Sequence, residues 1–149
     1  MKILIYLFFG FGLFCSNANT ELNWMSIHDI ESKVKEEPKK VLIKVYADWC
    51  KPCQNLANSF QDERVMDLLS DKFHLVNFEM ESDQKVEFKG KTYGLTDNLS
   101  IDVNELAYEF MDRKLSFPVL LVLDDRLNVI KKFKGSCDPE QLIERINSI

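Results

Sequence analysis

Fourteen consecutive residues, Val41 to Gln54 (VLIKVYADWCKPCQ), constrain this chain more than any others. Val41 to Ala47 is apolar or β-branched at nearly every position, the pattern of a strand covered on both faces. Cys50 and Cys53 follow at once, and then Leu56, Ala57 and Phe60 open an apolar stripe at helical spacing. At the junction of a buried strand and a helix, free N–H groups and the positive end of the helix dipole favour a thiolate. Redox chemistry is therefore the first candidate for the pair. Its rivals are half of a zinc site and an inert structural pair. Zinc needs four ligands, no second cysteine pair exists, and His28 and His74 stand alone in sequence, so no metal is expected.

The N-terminus reads differently from the rest. Lys2 is a minimal charged region, Ile3 to Phe14 is an apolar run, and Ser16-Asn17-Ala18 offers small residues for cleavage, so residues 1–18 are expected to be an export signal. The run is short of the roughly 18 to 20 apolar residues a membrane span needs. Cys15 raises lipid anchoring as an alternative, but bulky Phe14 stands where a lipidation signal has a small residue. Without residues 1–18 the chain loses only Lys2, leaving 18 basic against 24 acidic residues, a net of −6. That balance argues against nucleic acid as a partner, since a nucleic-acid site needs a basic face. Three cysteines then remain, Cys50, Cys53 and Cys137, too few and too odd in number for a disulfide scaffold.

The chain at 149 residues is one domain's worth. Asn19 to Ser26 is expected to be a flexible lead-in, and a helix follows with Ser26 as cap and Ile27, Ile30 and Val34 on one face, so that residues 19–40 form a lead-in and helix ahead of the domain at 41–149. Lys35 to Lys40 is a charged link stopped by Pro38. Beyond Phe60 a polar bend at Ser59 to Asp62 leads to a second helical stripe through Val65, Leu68 and Leu69, and Phe73 to Phe78 is a further core strand, parallel to the first. Glu79 to Ser100 is long and polar, with a hairpin expected at Phe88 to Tyr93, and is assigned as a partner-recognition flap against the alternative of a mere surface insert. Asp102 to Met111 is a helix capped by Ser100 or Asp102. Ser116-Phe117-Pro118 leads a buried strand at Val119 to Leu123, Val129 to Lys134 is a half-exposed antiparallel strand, and Asp138-Pro139-Glu140 starts a last helix.

Trp49-Cys50-Lys51-Pro52-Cys53 resembles the thioredoxin active-site motif, and the strand before it is similar to that family's central strand; the likeness runs over roughly Val41 to Ile149. The fold it implies is an α/β thioredoxin fold, a central mixed sheet flanked by helices, with an insertion before the helix that precedes the cis-proline strand. By the same resemblance Pro118 is cis and faces the cysteine pair, with Phe117 beside it in a substrate groove that Trp49 also lines. Cys50, at the helix start and expected to be the more exposed, is the nucleophile, and Cys53, one turn later, resolves the mixed disulfide. Pro52 matches the reducing members of the family; Lys51 stands where glycine is usual and adds a cation that favours the reduced form.

Lys44 departs from the family, which commonly carries a buried acid six residues before the first cysteine. Pointing inward, Lys44 would be a buried amine able to act as the proton relay itself; pointing outward, it is simply solvated, and the solvated reading is preferred. Cys137 is either a third redox thiol near the groove or a spectator. The resemblance implies a thiol-disulfide oxidoreductase acting in a periplasm or similar space on disulfide-containing proteins, as a monomer without a cofactor, and a reductant there needs a membrane electron-donor partner. The alternatives are a disulfide oxidase or isomerase, and a non-catalytic binding module or chaperone.

Overall fold

The apolar run at Val41 becomes the middle strand of the molecule. In the computed structural model, which describes residues 21–96 and 99–149, that strand is β2 (Lys40–Tyr46). Its neighbours are β3 (Phe73–Glu79), which runs parallel to it, and β8 (Val119–Leu123), which runs antiparallel. Outside these lie β1 (Trp24–Ser26), parallel to β3, and β9 (Val129–Lys134), antiparallel to β8, giving a mixed five-stranded sheet in the order β1-β3-β2-β8-β9. The expected export signal at residues 1–18, and Cys15 within it, lie outside the described residues.

Successive side chains of a strand point to opposite faces, and both faces of this sheet are roofed. On one, Val41, Ile43 and Val45 pack with Val76, Phe78, Val119 and Leu121 beneath α1 (Ile30–Glu36) and α4 (Glu105–Phe110). On the other, Leu42, Leu75, Leu120 and Val122 pack beneath α2 (Lys51–Ser59), α3 (Glu63–Lys72) and α5 (Pro139–Asn147). Each large aliphatic side chain removed from water contributes about 1.5–3 kcal/mol, so these two layers, more than helix propensity, hold the helices in place.

Local signals place most helix ends. Asp62 caps α3 by accepting the Arg64 N–H at 3.0 Å, which turns the chain between the two helical stripes. Asp138 accepts the Gln141 N–H at 2.8 Å while Gln141 Oε1 accepts the Asp138 N–H at 3.3 Å, a reciprocal cap with Pro139 in the first turn of α5.

Two expectations are corrected and a third is borne out. Trp24 to Ser26 is an edge strand, not part of a flexible lead-in: Trp24 pairs with Leu75 and its ring meets Phe60 edge-to-face at 5.0 Å. The fourth helix starts later than Asp102, because Val103–Asn104 (β7) pairs with Leu95–Thr96 (β6), and the cap is Asn104, whose side chain accepts the Leu106 N–H at 3.0 Å. The hairpin in the insertion does form, as β4 (Val86–Phe88) and β5 (Lys91–Tyr93), with Lys89 and Gly90 at φ 50 and 75, the positive values a tight two-residue hairpin turn requires. The hairpin packs onto the core. Val86, Phe88 and Tyr93 are buried in the α4 layer, and Phe88 packs edge-to-face on Phe110 at 5.6 Å.

Candidate functional site

β2 and β3 are parallel, so their C-terminal ends open on the same edge of the sheet, and the cysteine loop leaves from there. Ala47 to Trp49 carries the chain from Tyr46 to Cys50, the Cys50 N–H returning to the Ala47 carbonyl at 3.2 Å. Cys50 is the N-cap of α2: its Sγ accepts the Cys53 N–H at 3.1 Å and its carbonyl accepts the Gln54 N–H at 3.1 Å. Pro52 occupies the first turn, where a missing N–H leaves nothing unpaired. Cys50 and Cys53 are joined as a disulfide, with Cα atoms 5.2 Å apart. Cys50 is 3% exposed and Cys53 4%, so the expected greater exposure of Cys50 is not present in the disulfide form. What separates the two is position, one at the cap of the helix and the other inside its first turn.

The predicted groove residues fall into two groups. Trp49 is 59% exposed and meets Phe117 edge-to-face, ring centres 5.4 Å apart. The Phe117–Pro118 peptide is cis, as the resemblance implied. Val119 pairs with Val45, which sets Pro118 at the level of Tyr46, at the edge of the sheet from which the cysteine loop departs. Lys51 is exposed on the first turn of α2.

Lys44 belongs to the second group and overturns the preferred solvated reading. It shares a face with Leu42 and Tyr46, under α2, and only 9% of it is exposed. Its Nζ lies 4.8 Å from the ring centres of Trp24 and Tyr46 and 5.6 Å from that of Phe60. The strand alternation that turns Lys44 inward is held by packing on both faces, because a one-residue slip would exchange Val41, Ile43 and Val45 with Leu42 and Lys44 between two differently filled layers. Burial pushes its amine below the ordinary value of 10.5, and among the described residues no carboxylate pairs with it to hold it charged. Beside it in register is Asn77, whose Oδ1 is buried without a hydrogen bond.

Sequence reasoning missed the acids at this edge. Glu81 Oε2 accepts the Trp49 Nε1–H at 2.7 Å, and Glu79 Oε1 accepts the Glu81 N–H at 3.0 Å. Burial pushes the Glu79 carboxyl up; the Glu81 N–H opposes this, and the charges of Glu81 and Asp48 add to it. Tyr46 is raised by burial and then by Asp48 and Glu79. The one signal that could have found these acids is topological: ligand-facing residues of α/β sheets gather beyond the C-terminal ends of parallel strands, and Glu79 to Glu81 follows such an end.

Cys137 is a buried free thiol in the α5 layer, raised by desolvation, and its carbonyl accepts the Ser59 Oγ–H at 2.6 Å. A raised, buried thiol is a poor nucleophile, which favours the spectator reading. Among the described residues no three His, Cys, Asp or Glu side chains gather as a metal site.

Comparisons with known proteins agree with this geometry. Residues 23–124, more than half of the chain, match the family model described as thioredoxin-like. Among solved structures, the chain is similar to a thioredoxin from Thermus thermophilus (15% identity, TM-score 0.63, covering 85% of this chain and 85% of that one). It is similar as well to a disulphide isomerase from Xylella fastidiosa Temecula1 (17% identity, TM-score 0.54, 80% and 83% covered). A third is the C-terminal domain of DsbD from Neisseria meningitidis in its oxidised form (17% identity, TM-score 0.52, 80% and 88% covered). No curated protein matches the chain in sequence. At these identities the solved structures speak to the fold alone, whereas the family match reaches from β1 to the end of β8. The chain belongs to the thioredoxin-like family, and its close Cys50–Cys53 pair supports thiol-disulfide oxidoreductase chemistry.

Proposed function

We propose that this protein is an exported reductant of protein disulfides that works through Cys50 and Cys53. The observation that carries the reading is the cysteine pair at the cap of α2, beside the Trp49–Phe117 wall and the cis-Pro118 peptide. The Cys50 thiolate attacks one sulfur of a target disulfide and the other target sulfur leaves as a thiolate. The Cys53 thiolate then attacks Cys50 Sγ, forming the Cys50–Cys53 disulfide and releasing the second target thiol. The target gains two electrons and the pair loses them, so each turnover needs two electrons back. In an oxidising compartment these come from a membrane electron-donor protein.

The proton of the Cys53 thiol is assigned to Lys44, in place of the acid common in the family. Support for this is the burial of Lys44, which brings its neutral form closer to neutral pH than an ordinary lysine's. Export rests on the apolar run and small residues of 1–18, and a monomer acting without cofactor is the simplest form of the reading.

Direction is set by the two residues between the cysteines. Pro52 is the reducing signature by resemblance, while exposed Lys51 stabilises thiolate and draws the pair toward oxidant behaviour. The deciding experiment equilibrates the protein in glutathione or dithiothreitol buffers and counts thiols by mass spectrometry, with Cys137 as a constant background. A potential near about −270 mV is expected, as in thioredoxin; a value of about −180 mV or higher would make the pair a disulfide donor.

A further inference from the structure

Trp49 raises a question that its place in the motif does not answer: an indole 59% exposed beside the reactive pair has little packing to hold its rotamer. Two contacts hold it. Its Nε1–H donates to Glu81 Oε2 at 2.7 Å, a short charge-assisted bond, and its ring stands edge-to-face on Phe117 at 5.4 Å. Glu81 is held in turn, because its own N–H is bonded at 3.0 Å to the carboxylate of Glu79, the last residue of β3. The end of a core strand is thereby linked through two carboxylates and an indole to the cis-Pro118 peptide across the groove.

On the thiol-disulfide reading above, we propose that Glu81 is a specificity-determining residue: it fixes Trp49 as one wall of the groove and favours target disulfides flanked by a lysine or arginine. Oε2 is committed to the indole, and Oε1 makes no bond to the described residues, which leaves a free acceptor oxygen beside the wall. Asp48 precedes Trp49 directly and acts electrostatically on Glu79, so negative charge is continuous along this rim. Lys51 is the cation adjoining Cys50, on the helix side. A cation beside the target cysteine meets three carboxylates on the rim, and an acid there is repelled. Rim charges of this kind act on encounter and on KM, with a strong dependence on salt.

The test uses the full chain and two disulfide-bridged peptides identical except for lysine or glutamate beside the cysteine. Wild type should reduce the lysine peptide with a kcat/KM about three- to tenfold higher at low ionic strength, and the ratio should collapse toward one in about 0.5 M salt. Glu81→Gln keeps an acceptor for the indole and loses one of the three rim charges, so the ratio should fall clearly below the wild-type value while the indole N–H resonance of Trp49 stays in place. Glu81→Ala loses both, so that resonance should shift and exchange faster with solvent, and KM should rise for both peptides with little change in kcat. Equal wild-type kcat/KM for the two peptides, full discrimination in Glu81→Gln, or an indole resonance indifferent to Glu81→Ala would each overturn the proposal. Failure of the dithiol form to reduce either peptide would instead refute the thiol-disulfide reading and the specificity role with it, and the indole resonance would still report the tether.

Discussion

Replacing Lys44 by methionine should make the protein more stable at neutral pH, although it removes a side chain assigned to proton transfer. The Lys44 ammonium gives up most of its hydration, at an effective cost of several kcal/mol for an ion in a protein interior. Against this stand three rings at 4.8, 4.8 and 5.6 Å, each contributing roughly 1 kcal/mol on a scale of about 0.5–2. Among the described residues neither a carboxylate nor the buried Asn77 Oδ1 is hydrogen-bonded to the amine. Methionine keeps the unbranched stem and the aromatic contacts without the charge. The balance favours Lys44→Met by about 1–2 kcal/mol, a rise of about 3–6 °C in Tm. The pH dependence has a definite sign. With its folded-state pKa below 10.5, the folded protein sheds the Lys44 proton before the unfolded chain does, so the penalty is full below the folded pKa and fades as pH rises toward 10.5. Urea unfolding of the oxidised proteins at pH 7 and at stepped alkaline values should show the advantage of Lys44→Met shrinking with pH. A variant less stable than wild type by 1 kcal/mol or more at pH 7 would refute the reasoning, for it would mean that the rings outweigh desolvation and keep the amine charged.

The remaining predictions are simpler. Cys53→Ser should still attack target disulfides but stop at the mixed disulfide, trapped through Cys50 and visible as an adduct by mass spectrometry, whereas Cys50→Ser should give no adduct; adduct on Cys137 instead would contradict the assignment. Asn104→Ala removes the cap of α4 and the bond from Asn104 Nδ2 to the Gln84 carbonyl at 3.3 Å, leaving buried partners unsatisfied. It should lower stability by about 2 kcal/mol and speed amide exchange first in the Val86–Tyr93 hairpin, and uniform exchange across the sheet would argue against a local role. Asp112 is held at about 2 by hydrogen bonds from Lys132 and Lys134. Its stabilising contribution is whole above pH 3.8 and is lost as pH falls through about 2, so Asp112→Asn should flatten the acid limb of the stability curve in that window, and an unchanged limb would show that the pair adds nothing.

Much of the fold was legible because it is specified locally. A doubly buried strand announces itself at Val41 to Ala47; Asp138-Pro139-Glu140 announces a helix start; Lys89-Gly90 between strand formers announces a tight hairpin. What escaped was set by pairing between distant segments. Trp24 to Ser26 is three residues long, too short for any period, and becomes a strand only because β3 offers an open edge. Asn104 wins the α4 cap over Ser100 and Asp102 because Val103 is drawn into a ladder with Thr96.

The candidate site divides along the same line. The cysteine pair, its proline and the cis-Pro118 strand follow from residues adjacent in the chain, and the family resemblance reads that adjacency. The sequence by itself determined that a thiol pair would cap a helix after a buried strand, since capping and burial are properties of neighbours along the chain. Only the tertiary structure decided that Lys44 lies among Trp24, Tyr46 and Phe60 and that Glu81 holds Trp49. Alternation tells which residues share a face of a strand, but what roofs that face, and which acid comes to rest beside an exposed indole, depends on how α2 and the end of β3 pack across a sheet whose partners lie tens of residues away.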